Sequence, residues 1–173
     1  NALSRELRGA IAASFIDLQA DDAIRVAIVT GEGRAFCAGL DLKELGSEDA
    51  GGPGALEESD SVAAMTAFEG PIIGAVNGYA ITGGFELALA CDLLIASTEA
   101  RFSDTHIRVG ILPGWGLSQR LPRLIGISRA KELSLTGNPI GAEQALAWGL
   151  VNRVVAPEEL LPSCRALAAD MLS

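Results

Sequence analysis

PIIGAVNGYAITGGFELALACD, residues 71–92, carries an apolar run, a turn and a glycine-opened helix in immediate succession. From Pro71 to Val76 the run is rich in Ile and Val, and Asn77-Gly78 ends it with turn chemistry, which predicts a buried strand that exits here. Gly83-Gly84 then opens a helix. The first amides of a helix have no intrahelical acceptor, and a glycine among them leaves room for a ligand, so a partly positive pole suited to an anionic oxygen is expected there. Glu86 lies one turn beyond Gly83 and on roughly the same side. Phe85, Leu87, Ala88 and Leu89 surround it with apolar material, so the stretch predicts an anion hole paired with a desolvated carboxylate able to move a proton. The same pattern also suits a dipole-favoured surface acid, with the glycines present only for close packing.

Upstream, Ser4 caps a helix with Leu7, Ala10, Ile11, Phe15 and Leu18 at helical spacing, ending near Gln19. Ile24 to Thr30 reads as a buried strand closed by Gly31. Gly31 and Gly33 do not begin a dinucleotide fingerprint, because the third glycine position falls on Phe36. Ala35 to Lys43, AFCAGLDLK, is the second informative stretch: a strand exit followed by small residues and Gly39 leaves backbone amides free near Leu40. Cys37 reads as a buried inert thiol, since no cation or helix start accompanies it. Lys43 suits either a phosphate contact or a solvated surface. Gly46 to Asp60, with Gly51-Gly52-Pro53-Gly54, predicts a mobile loop or lid.

Downstream of Glu86, Asp92 to Ser97 reads as a strand and Ala100 to Ser103 as a short extended piece. Leu112 to Gly116 forms a rigid turn, and helices are expected over Leu117–Ile125 with Pro122 inside, Ser128–Leu135 and Ala142–Trp148. Val151 to Val155 is a last strand and Pro157 to Leu172 a last helix. The 173 residues therefore read as one α/β domain without tandem repeats.

About half the chain is hydrophobic, with 20 Gly and only 5% aromatic residues, so the core is built mainly from Ala, Leu, Ile and Val. A net charge of −9 argues against a nucleic-acid surface, which needs clustered Lys and Arg. Cys37, Cys91 and Cys164 are odd in number and lack CxxC spacing, which predicts a reducing, cytoplasmic setting and no metal or disulfide framework. The most apolar region is interrupted by Asn77, Thr82, Glu86 and Asp92, so no spanning helix and no membrane partner are expected.

Read together, AFCAGLDLKE, NGYAITGGFELALACDLLIAS and LPGWGLSQRLPRLIG resemble, in order and spacing, the enoyl-CoA hydratase/isomerase or crotonase family. The resemblance implies a ClpP/crotonase-like spiral of β-β-α units holding a coenzyme A thioester, with both termini incomplete at Asn1 and Ser173. It assigns the oxyanion hole to the backbone amides of Leu40 and Gly83, and the CoA passage to Ala38, Asp41, Leu42 and Lys43. Glu86 takes the position of one of two catalytic carboxylates. Where family hydratases carry glutamate in a motif resembling FGxPE, this chain reads Phe102-Ser103-Asp104-Thr105-His106, which places His106 at the second acid/base position with Asp104 to orient it. Trp115 narrows the acyl pocket or packs as a core aromatic. The implied activity is hydration of a 2-enoyl-CoA with no cofactor beyond the CoA of the substrate. Alternatives are double-bond isomerisation by Glu86 alone, hydrolysis using His106, or acyl-CoA binding without catalysis. The family also implies a homotrimer or a dimer of trimers.

Overall fold

The computed structural model describes residues 1–41, 44 and 60–173. The expected loop between Gly46 and Asp60, Asp60 itself excepted, and the candidates Leu42 and Lys43 lie outside the described residues. After α1 (Arg5–Ala20), whose first turn is capped by the Ser4 hydroxyl accepting from Leu7 N–H, the chain alternates between two sheets. One sheet holds β1 (Ala27–Thr30), β3 (Ile72–Val76), β5 (Leu93–Ser97) and β8 (Arg153–Val155) in that order, all parallel. The other holds β2 (Ala35–Cys37), β4 (Tyr79–Ile81), β6 (Arg101–Ser103) and β7 (Ile140–Gly141), with only β7 antiparallel. Each pass contributes one strand to each sheet and then a helix: α2 (Ser61–Ala67), α3 (Gly83–Ala90) and the four-residue α4 (His106–Val109). This is the β-β-α spiral that the resemblance implied.

The centre of the spiral is β3. Every residue of it is buried, because its two faces pack on different cores. Ile72 and Val76 join the main core with Phe85 and Phe102, while Ile73 and Ala75 meet Ile95, Leu160 and Cys164 beneath α8 (Leu160–Leu172). A strand covered on both faces reads as a continuous apolar run. The ladder starts at Ile72 rather than Pro71, since proline has no N–H to donate, and the register Ala27↔Ile72 trims β1 to four residues where a strand from Ile24 was expected.

α5 (Leu117–Ile125), α6 (Ile127–Thr136) and α7 (Ala142–Trp148) complete the fold. The last helix begins as a single 3₁₀ turn over Pro157–Glu159. Arg120 of α5 donates to Leu89 O at 3.0 Å, which satisfies an end carbonyl of α3 and ties the two helices together. β4, α4 and β7 have no counterpart in the sequence reading. Each spans two to four residues and is held by partners distant in sequence, so none leaves a periodic signal of its own.

The approach of α3 to β2 leaves no room for a side chain at Gly84, where a Cβ would stand 2.2 Å from Cys37 O. Gly84→Ala is expected to lower the urea unfolding midpoint and cost about 1–3 kcal/mol, the usual range for overpacking, as read by equilibrium denaturation.

Candidate active site

The N-terminal end of α3 is assembled from two turns. Gly39, at φ +90°, lies so close to the end of β4 that a Cβ on it would come 2.9 Å from Ile81 O and 3.6 Å from Gly83 N. Leu40 next to it pairs in a parallel bridge with Leu3, through Leu3 N–H to Gly39 O and Asp41 N–H to Leu3 O. That pattern uses neither Leu40 N–H nor Gly83 N–H, and neither donates to an acceptor among the described residues. Gly39, the chain neighbour of Leu40, thus stands beside the start of the helix that carries Gly83. Thr82 precedes Gly83 with φ 53° and ψ −115°, a conformation that costs a non-glycine residue about 1–3 kcal/mol.

Glu86 is only 2% exposed. Its Oε1 accepts from the backbone N–H groups of Trp115 at 2.8 Å and Leu117 at 3.2 Å, and its Oε2 faces His106 Nε2 at 3.4 Å. The expected rigid turn before Leu117 therefore has a second use: it presents two amides to the carboxylate. Gly116, at φ 96°, permits this bend. The Trp115 ring closes over the helix start, where a Cβ on Gly83 would sit 3.1 Å from Cζ3.

His106, 4% exposed, is held from both sides. Its Nδ1 lies 2.6 Å from Asp104 Oδ1, which also accepts the His106 backbone N–H at 3.3 Å. Burial alone would pull the imidazole pKa down, but hydrogen bonding and charge from Asp104 and Glu86 outweigh it and push it up to about 9. The reciprocal effect holds Asp104 below the usual carboxylate range: burial opposes ionisation, and hydrogen bonds from His106 and Ser134 overcome that cost. The raised pKa keeps the imidazole protonated at neutral pH, with Nδ1–H donating to Asp104 and Nε2–H directed at Glu86 Oε2.

Of the expected CoA-lining residues, Ala38 is exposed with its N–H donating to Asn1 O at 2.9 Å, and Asp41 is half-buried. All three thiols are free and buried; burial pushes Cys37 up, and takes Cys91 to about 12 and Cys164 to about 11. Among the described residues no group of three His, Cys, Asp or Glu side chains is placed to hold a metal ion, and no helix is long and apolar enough to cross a membrane. Sequence reasoning missed the amides of Trp115 and Leu117 as partners of Glu86 and the conformation of Thr82, none of which has a local signature.

Residues 1–173 match the family model described as enoyl-CoA hydratase/isomerase. The chain belongs to the enoyl-CoA hydratase/isomerase family. A probable peroxisomal enoyl-CoA hydratase 1 of Arabidopsis thaliana is 48% identical over 99% of this chain, and a crotonyl-CoA hydratase of Syntrophomonas wolfei is 41% identical over 100% of this chain. Among solved structures, an enoyl-CoA hydratase of Bacillus anthracis superposes with a TM-score of 0.93 at 38% identity, covering 99% of this chain and 67% of its own. One from Mycobacterium avium gives 0.87 at 48% identity, covering 100% of this chain and 71% of its own. The chain spans 64% of the Arabidopsis relative and 68% of the Syntrophomonas one.

Because the His106 pKa lies above its free value of 6.5, the folded state holds that proton more tightly than the unfolded state. This contribution to stability is complete below about pH 6.5 and is lost as pH rises through about 9. His106 is the sole histidine of the chain, so its ring NMR signals need no assignment. They are expected to titrate near pH 9, and Asp104→Asn is expected to move that midpoint toward 6.5.

Proposed function

We propose that this protein hydrates a 2-enoyl-CoA thioester, with Glu86 and His106 as paired proton-transfer groups beside an anion hole made by the Leu40 and Gly83 amides. The observation that carries this reading is the 3.4 Å approach of His106 Nε2 to Glu86 Oε2 at the glycine-opened start of α3. Relatives named enoyl-CoA hydratase and crotonyl-CoA hydratase support the reaction class.

The thioester carbonyl docks against the two amides, which stabilise the charge that builds on its oxygen. One such donor is worth about 3 kcal/mol of barrier. Water attacks C3 as the Glu86 carboxylate takes one of its protons, and the double-bond electrons move toward C2 and the carbonyl as an enolate. His106, kept as imidazolium by Asp104, gives its Nε2 proton to C2 and the carbonyl re-forms. Protonated Glu86 and neutral His106 then face each other, and transfer between Oε2 and Nε2 restores the starting state. No cofactor is needed beyond the CoA of the substrate, which runs past Ala38 and Asp41. A homotrimer or a dimer of trimers is the assembly that the family resemblance implies.

A double-bond shift needs only one shuttle and would leave His106 as a wall residue. Glu86→Gln is expected to cut hydration of crotonyl-CoA by roughly 10²-fold or more, and His106→Ala to fall comparably, with products separated by mass and retention. Intact hydration in His106→Ala removes the histidine from the mechanism. A shifted double bond identifies an isomerase, and thioester binding without any product identifies a binding protein.

A further inference from the structure

Thr82 is the only non-glycine residue with positive φ among the described residues. At φ 53° and ψ −115° a β-branched side chain crowds its own backbone, whereas glycine adopts these angles freely. Such a residue persists only where its surroundings over-determine it. Its N–H donates to Ser103 O at 2.9 Å, and its carbonyl accepts from Phe85 N–H and Glu86 N–H, both at 3.0 Å. Any residue can make these backbone contacts. The fourth contact belongs to the side chain: the Thr82 hydroxyl hydrogen-bonds the Thr105 hydroxyl just past the ends of the paired strands β4 and β6.

The peptide that joins Thr82 to Gly83 carries both the carbonyl anchored in α3 and the Gly83 N–H. In a trans peptide these two groups point in opposite directions, so anchoring the carbonyl into the helix turns the Gly83 N–H out of it. Relaxation of Thr82 to negative φ would rotate that plane and take the amide with it. Thr105 stands between Asp104 and His106 in the chain, so its hydroxyl ties the turn bearing the imidazole to the turn bearing the amide.

We propose that Thr82 and Thr105 are positioning residues whose hydroxyl pair holds the Gly83 N–H in register with Glu86 and His106. This rests on the hydratase reading above. Thr105→Val deletes the hydroxyl at nearly constant volume, and Thr105→Ser keeps it. With the purified full chain and crotonyl-CoA, Thr105→Val is expected to lower kcat by about 10-fold or more with KM changed less than about threefold. Thr105→Ser is expected to recover kcat to within about threefold of wild type. In a Thr82→Gly background, where glycine holds the positive φ without a tether, adding Thr105→Val is expected to cost less than about twofold. An equal loss in both backgrounds, or a lowered melting temperature with kcat untouched, overturns the proposal. If wild type turns over no enoyl-CoA, the hydratase reading fails by itself, and the tether is then judged by the Gly83 amide resonance in ligand-free protein. That resonance is expected to move in Thr105→Val, to return in Thr105→Ser, and to be insensitive to Thr105→Val when Thr82→Gly is present. A Gly83 amide that does not move in Thr105→Val overturns the tether.

Discussion

A carboxylate buried on the first turn of α3 imposes its needs on everything around it. An ion taken out of water is costly unless hydrogen bonds and opposite charge replace the lost hydration. Glu86 obtains both from outside its own helix: two amides from the turn that begins α5, and the imidazole at the start of α4. The spiral is thereby pinned at the point where its successive passes meet. Arg120, one turn into α5, fastens the opposite end of α3 through Leu89 O, so the helix carrying the carboxylate is held at both ends by the same neighbour.

The imidazole brings a second constraint. His106 lies between two acidic side chains in a site nearly closed to solvent, where charge interactions are stronger than in water. Asp104 fixes one ring nitrogen at 2.6 Å, and so decides that the other, nearer Glu86 at a looser 3.4 Å, is the one free to exchange a proton. The proposed hydration uses this asymmetry: the tight bond orients and the loose one transfers.

The proposed anion-binding side of the site is made of backbone alone. Its geometry depends on residues without side chains at Gly39 and Gly84, where any Cβ would collide with Ile81 O or Cys37 O, and on the forced turn at Thr82. A backbone donor keeps its direction only as long as its peptide plane is held. The hydrogen bonds around Thr82 and the close packing of β2 against α3 are thus as much a part of the site as the groups that point into it.

Much of this was legible in the sequence because it is written in local chemistry. The apolar run of β3, the Ser4 cap, the glycines that open α3 and the acid one turn further each announce themselves within a few residues, and the order of the motifs carried the family and its β-β-α spiral. The two turns bearing Leu40 and Gly83, and the pairing of Glu86 with His106, followed from that order. Tertiary structure alone decided the rest: that β4 and β7 are strands, that Trp115 and Leu117 donate to Glu86, and that a threonine occupies a glycine conformation. The two amides come from 29 and 31 residues away from Glu86, and the hydroxyl that Thr82 meets is 23 residues away. A side chain's hydrogen-bond capacity is a property of its sequence, but the direction in which a backbone amide points is set by the packing of elements that sequence proximity does not bring together.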